Sequence, residues 1–210
     1  MIAVHPASVG MYEGARVAGA PLRPKPPVHR AAALRALLLA SGMLVACSPD
    51  FDWRAVAVPD SELVAEMPCR PGRFQREFVV AGTSLKWLML ACDAGGVTFG
   101  VATAEVGDAR RVEAVLQALA AGAVAGIRST QTRVGALRIH GATPFVGNVE
   151  MRLAGSRPDG TAVEEAVRVF GRGTRVFQAS AIAARLPASV LQPFDDGLHF
   201  ELGKVDPDPI

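Results

Sequence analysis

The residues of this 210-residue chain with the clearest chemical potential are its three cysteines, Cys47, Cys69 and Cys92. A cysteine thiolate can be alkylated, oxidised to a disulfide or bound to a metal. Cys47 ends an apolar run, "ALLLASGMLVAC", and is followed directly by the polar Ser-Pro-Asp. This position predicts a role for Cys47 that differs from the role of the other two cysteines.

The segment before Cys47 has the composition of an export signal. His29, Arg30 and Arg35 form a positive region, and residues 36–46 form an apolar region of the usual signal-peptide length. A membrane-spanning helix needs about 20 apolar residues, and this run is shorter. We therefore expect residues 29–46 to be a signal peptide rather than part of the fold.

The tetrapeptide Leu44-Val45-Ala46-Cys47 resembles the lipobox of bacterial lipoproteins. The resemblance implies that diacylglycerol is attached to the Cys47 thiol and that signal peptidase II recognises Leu44, Val45 and Ala46 and cuts before Cys47. The lipid bilayer is then a partner through the acylated Cys47, and Ser48 in the next position favours the outer membrane facing the periplasm. An ordinary signal with a chance cysteine, or an uncleaved anchor, remains the alternative.

Residues 1–28 are unusual in front of such a leader, because the stretch "PLRPKPP" is too rich in proline for a helix. Either translation starts at Val28, or these residues are a disordered extension. After the leader we expect a lipidated N-terminus with a linker at 47–57, one domain at 58–202 and a flexible tail at 203–210.

The charge of the chain divides at Cys47. Residues 1–46 contain five Lys and Arg against one acidic residue, and the remainder contains 17 against 19, which gives the mature part a formal charge of −2. The composition thus provides no basic surface, and no nucleic-acid partner is predicted.

Two cysteines remain once Cys47 is assigned to lipid. A leftover pair in an exported chain predicts a disulfide between Cys69 and Cys92, which would stabilise the fold by roughly 3 kcal/mol. Two buried free thiols are the alternative. No CxxC or HxxxH pattern occurs, and His140 and His199 are the only histidines after Cys47, so no metal site or cofactor is expected.

Other residues with catalytic potential lack the neighbours that catalysis requires. No GxSxG motif is present, and His140 is an isolated general-base candidate. Successive residues on a strand point to opposite faces, so Glu164 and Glu165 should not share a site, and we expect solvated charge there and at Asp195–Asp196. A cross-strand ion-pair face is predicted for a larger set: Arg152, Arg168, Arg172 and Arg175 with Glu150, Glu164 and Glu165. No catalytic residue is predicted.

The elements that position these residues follow from the apolar pattern. Alternation predicts strands in two hairpins, "RFQREFVV" to "LKWLMLAC" and "GNVEMRLAGS" to "AVEEAVRVF", and another strand at "VGALRIHG". A helix is predicted after the N-cap Asp108, with an apolar stripe at Val112, Val115, Leu116, Leu119, Ala123 and Ile127. A short second helix begins near Pro187. This order predicts a single α+β domain, a mostly antiparallel sheet with two helices packed on it.

The succession of "MPCRPG", "LACDAGGVTFGVATAEV", "VRVFGRGTRVFQASAIA" and "FDDGLHFEL" resembles the PsbP-like domains of many bacterial lipoproteins. The resemblance covers most of residues 58–202 and implies an α/β/α sandwich. Phe177 matches an aromatic position of the family's hairpin, whereas Gly197 replaces the serine of its closing motif. The shared positions are apolar or turn residues, so the resemblance implies a fold and no catalytic residue.

Three functions are compatible with this pattern. The one we favour is a membrane-anchored, non-catalytic interaction or accessory module that binds another envelope protein, with an exposed apolar patch near Trp53, Trp87 or Phe145. The second is a carrier or sensor of a small apolar ligand, held in a closed cavity between sheet and helix. The least favoured is a hydrolase that uses His140 or a carboxylate pair in a cleft.

Overall fold

The computed structural model of the chain describes residues 50–137 and 139–201. The extension 1–28, the signal peptide 29–46 with its lipobox, Cys47 and the tail 203–210 lie outside the described residues. The predictions made for those segments therefore stay predictions.

The described chain is built from strands and two helices in the following order: β1 (Arg54–Ala57), β2 (Leu63–Met67), β3 (Gly72–Val80), β4 (Thr83–Ala94), β5 (Val97–Glu105), α1 (Ala109–Gly126), β6 (Gln131–Gly135), β7 (Val149–Ser156), β8 (Ala162–Arg172), β9 (Arg175–Ala183), α2 (Ala188–Asp196) and β10 (His199–Phe200). Seven strands form one large sheet in the order β3-β4-β5-β9-β8-β7-β6, and a small sheet has the order β1-β2-β10. All of these strand pairs are antiparallel.

Each face of the large sheet carries its own apolar core, because side chains alternate along a strand. Helix α1 packs on one face, here the α1 face, through Val112, Val115 and Leu116. The other face, here the α2 face, is covered by α2 and by the small sheet, through Leu191, Phe194, Leu63 and Met67. The prediction of a single α+β domain with a mostly antiparallel sheet and two helices is confirmed.

Helix α1 begins as the sequence predicts. The side chain of Asp108 accepts a hydrogen bond from the backbone N–H of Arg110 at 3.0 Å, which satisfies one of the free donors of the first turn. The predicted apolar stripe is buried in full: Val112, Val115, Leu116, Leu119, Ala123 and Ile127. This stripe fixes which side of the helix meets the sheet.

The tight turns of the sheet depend on positive backbone φ angles. Gly95 and Gly96, between β4 and β5, have φ angles of 55° and 76°. Such turns match the twist of the strands that they join, and glycine adopts them without steric cost. The motifs "DAGG" and "FGRGTR" form the turns of the β4–β5 and β8–β9 hairpins.

The strand predicted at "VGALRIHG" is wrong over most of its length. Strand β6 ends at Gly135, and the connection 136–148 leads from it to β7, which begins at Val149. Gly141 has a φ angle of 85°, which interrupts the extended conformation. The backbone N–H of Thr143 donates to the carbonyl of Gly171 at 2.9 Å, so this connection is held by the end of β8 instead of pairing as a strand.

Candidate functional site

The predicted disulfide is present. Cys69, two residues after the end of β2, is bonded to Cys92 in β4, and their Cα atoms are 6.1 Å apart. Cys92 packs against the core of the α2 face. The bond thus joins the end of a small-sheet strand to the large sheet.

The predicted catalytic candidates do not form a site in the part of the chain that the structure describes. His140 is exposed in the connection 136–148. Within residues 50–137 and 139–201, no three His, Cys, Asp or Glu side chains are grouped to hold a metal ion.

Asp195, predicted to be a solvated charge, is instead part of a buried ion network. Its carboxylate, on α2, accepts hydrogen bonds from Arg168 Nη1 and from Arg152 Nη2. Both guanidinium groups also reach Glu150 Oε1, Arg168 at 3.0 Å and Arg152 at 3.3 Å. Burial by itself raises the pKa of Asp195, but Arg168 and Arg152 hold it below its ordinary value. The predicted ion-pair face is therefore correct only for Arg152, Arg168 and Glu150, and its second acid comes from α2. Arg172 and Arg175 pair elsewhere, with Glu62 and Glu105.

Glu164 and Glu165 point to opposite faces of β8, as predicted, but neither is simply solvated. On the α2 face, Glu164 Oε2 accepts a hydrogen bond from the backbone N–H of Leu186 at 2.8 Å. Glu165 follows the register of Val163 and Val167, which belong to the core of the α1 face. The side chain of Glu165 is only 8% exposed.

An open groove lies on the α1 face beside the C-terminal half of α1. Its floor contains Met89, Ala102 and Gln178, which stand side by side on β4, β5 and β9. The groove has a volume of about 590 Å³ and continues to Ile182 and Glu165, which are paired across β9 and β8. We call this feature the α1 groove. It is not the closed cavity that the carrier hypothesis anticipated.

The helix side of the α1 groove is made of small residues: Ala118, Gly122, Ala123 and Gly126. A Cβ atom added at Gly122 or Gly126 would meet no atom within 4 Å. Each glycine costs a helix interior about 1 kcal/mol relative to alanine. Packing does not require glycine at either position, and the absence of side chains there leaves the groove wide.

Glu165 is an unusual residue for the end of such a groove. Among the described residues, no hydrogen bond or ion pair involves its carboxylate, and its cross-strand neighbours are Ile182 and Leu153. Burial raises the pKa of Glu165 from 4.5 to about 7. Neither carboxylate oxygen is among the fully buried unpaired atoms of the described residues, so this unpaired carboxyl remains accessible to a group outside the chain.

The position of Glu165 on an apolar face is visible in the sequence pattern of β8. Val163, Val167 and Val169 occupy alternate positions of β8 and are all buried on one face. Glu165 falls in the same alternating series, so a charge on an apolar face could have been read from the strand pattern.

Three of the exposed large apolar side chains lie on strand β3, next to one of the predicted aromatic residues, because Phe78 stacks on Trp87 with ring centroids 5.2 Å apart. Trp87 is 2% exposed, and Trp53 and Phe145 are half-buried against the two cores. Phe74, Phe78 and Val79 are instead 53%, 43% and 66% exposed. Strand β3 is an edge of the large sheet, so this β3 edge combines exposed apolar side chains with a free strand edge.

A second cavity, of about 590 Å³, lies between α2 and strands β6 to β8. Its lining is rich in charges of both signs, among them Arg133, Arg152, Glu164 and Asp195. The strand segment at Glu164–Glu165 borders both this cavity and the α1 groove. Arg152 and Asp195 form an ion pair, whereas Arg152 Nη1 is buried without a hydrogen-bond partner among the described residues.

Neither helix of the described ranges is long and apolar enough to cross a membrane. Comparison with known proteins identifies no relative of this chain. No protein-family model matches the chain, and no curated protein sequence matches it significantly.

Proposed function

We propose that this chain is a lipid-anchored envelope lipoprotein whose PsbP-like domain is a non-catalytic module that docks onto another envelope protein through the β3 edge. The anchor is the acylated Cys47, and the location is the outer membrane facing the periplasm. The domain contributes a binding surface rather than a reaction.

Two observations support the envelope location. Leu44-Val45-Ala46-Cys47 ends an apolar run of signal-peptide length. The Cys69–Cys92 disulfide is typical of a protein that matures in an oxidising compartment. An α/β/α arrangement, with α1 and α2 on opposite faces of an antiparallel sheet, is in keeping with the PsbP-like resemblance.

The β3 edge is the observation that carries the docking proposal. All nine residues of β3 except the last are exposed, and within the described residues the strand pairs on one side only, with β4. A free strand edge can accept an extended segment of a partner by backbone hydrogen bonding, while exposed side chains supply specificity. Phe74, Phe78 and Val79 offer the apolar contacts that such a partner would bury.

Labelling with a fatty-acid probe tests the anchor. Two or three acyl chains make attachment stable, whereas one gives only reversible binding. The wild-type protein is expected to take up the label, and Cys47→Ala is expected to lose it and leave unprocessed precursor or a released product. An unlabelled wild type, or equal labelling of Cys47→Ala, contradicts the lipoprotein assignment.

A photo-crosslinking amino acid at Val79 tests the docking surface in intact cells. The matched control carries the same group at Val134, which is 67% exposed on β6 at the opposite edge of the large sheet. We expect a discrete protein adduct from position 79, reduced several-fold by Phe74→Ser, and none from position 134. Equal adducts from both positions, or no protein adduct from position 79, would exclude docking at the β3 edge.

A further inference from the structure

We propose that the α1 groove binds a small amphipathic amine, whose apolar body lies between α1 and the strands and whose ammonium group contacts the Glu165 carboxylate. The groove adjoins the β3 edge, because Phe78 and Val79 also line it. The two proposals are told apart by their readouts, which are ligand affinity of the purified protein here and a protein adduct in cells for the docking surface.

The negative charge of the Glu165 carboxylate favours a cationic ligand. Glu165 is the one charged side chain among the described residues that line the α1 groove. On the same face its neighbours are apolar, Val163 and Val167 along β8 and Leu153 and Ile182 across it. An anionic ligand would meet this carboxylate with no nearby cation to compensate. An ammonium group supplies both the missing counter-charge and hydrogen-bond donors.

The size and lining of the groove favour a ligand with an apolar body. Its volume of about 590 Å³ falls within the range of small-molecule sites. The floor at Met89, Ala102 and Ile182 is mainly apolar, and Gly122 and Gly126 leave the helix side without side chains. An aliphatic or aromatic body would lose its contact with water there, which is the main driving force for binding.

Three eight-carbon probes test the inference, because they share one apolar chain and differ in the polar end: n-octylamine, 1-octanol and octanoate. Each is titrated by calorimetry at pH 8 into the full chain carrying Cys47→Ala, which removes the proposed lipidation site and avoids detergent. We expect n-octylamine to bind at least tenfold more tightly than either of the other probes.

Variants then locate the site. Glu165→Gln is expected to weaken n-octylamine binding at least tenfold, to the level of 1-octanol. The matched control, Glu164→Gln, alters the adjacent carboxylate on the opposite face and should change the affinity less than twofold. Gly122→Leu places a side chain in open space within the groove and should abolish binding of n-octylamine. Thermal unfolding verifies that each variant is folded.

Several results would overturn the inference. Binding of 1-octanol or octanoate as tight as that of n-octylamine would exclude a cationic ligand. Unchanged n-octylamine affinity in Glu165→Gln would exclude the carboxylate, and unchanged affinity in Gly122→Leu would exclude the groove. Failure of all three probes to bind would exclude the α1 groove as a binding site for such ligands.

Discussion

The two faces of the large sheet each bury an acidic side chain, and they differ in what surrounds it. On the α2 face, the Asp195 side chain is 15% exposed and is paired with two arginines. On the α1 face, Glu165 is 8% exposed and has no partner among the described residues. Burial acts on both acids, but the pKa of Asp195 is held low by Arg168 and Arg152, whereas that of Glu165 rises to about 7.

The difference indicates that Asp195 stabilises the fold, whereas Glu165 does not. Arg152, Arg168, Glu150 and Asp195 connect α2 to β7 and β8 with balanced charge. Each member of such a network depends on the others, because an isolated buried charge is strongly unfavourable. Glu165 supports no other residue, so its removal should not weaken the fold. The variants described next test this contrast.

Asp195→Ala should have the largest effect. It leaves Arg168, which is 7% exposed, with Glu150 as its only described acidic partner. The free energy of unfolding is expected to fall by about 3–5 kcal/mol, as in other broken buried pairs. Guanidinium unfolding measures this loss.

Asp196→Ala is the matched control, since Asp196 is exposed; it should change the free energy of unfolding by less than about 0.5 kcal/mol. Similar small losses for Asp195→Ala and Asp196→Ala would contradict a structural role for the network.

Removal of the disulfide by Cys69→Ser with Cys92→Ser should lower the free energy of unfolding by about 3 kcal/mol. The bond lies on the α2 face and closes a separation of 23 residues, so the loss comes from the freedom that the unfolded chain regains. Unfolding with and without a reductant measures the same quantity in the wild type. Free thiols at both positions in protein isolated from the periplasm would contradict the disulfide.

Glu165→Gln should have the smallest effect and the opposite sign. The pKa of Glu165 is about 7 in the folded state and 4.5 in the unfolded chain, so the wild type loses stability as the pH rises from 4.5 to 7. Glutamine does not titrate, and the described neighbours of Glu165 on the α1 face are apolar. The variant should match the wild type below pH 4.5 and exceed it by about 1–3 kcal/mol above pH 7.

Urea unfolding at pH 4.5 and pH 8 measures this change, with Glu164→Gln as the control that should show no such rise. A variant less stable than the wild type at pH 8 would mean that Glu165 has a structural partner.

Local patterns in the sequence predicted most of the fold. The stripe of α1 and its cap at Asp108 involve residues close in sequence, so spacing alone is informative. The cysteine count predicted the disulfide. By contrast, the strand predicted through His140 ends at Gly135, because contacts with β8 determine the path of the connection.

The candidate site was harder to predict because it depends on long-range packing. Asp195 is 43 residues from Arg152 and 27 from Arg168, and no local pattern indicates that α2 places it over those arginines. Alternation assigns Glu165 to a face, but it does not say how much of that face α1 leaves uncovered. Likewise, the exposure of Phe74 follows from the place of β3 at the sheet edge, which the order of elements in the chain does not reveal.

The position of the disulfide has a mechanical consequence. Cys69 precedes β3 and Cys92 lies near the end of β4, so all of β3 lies inside the covalent loop. A pulling force applied along the chain passes from Cys69 to Cys92 through the sulfur atoms and bypasses the residues between them. The β3 edge should therefore keep its conformation under tension, and single-molecule stretching should show about 23 fewer residues of extension before reduction than after it.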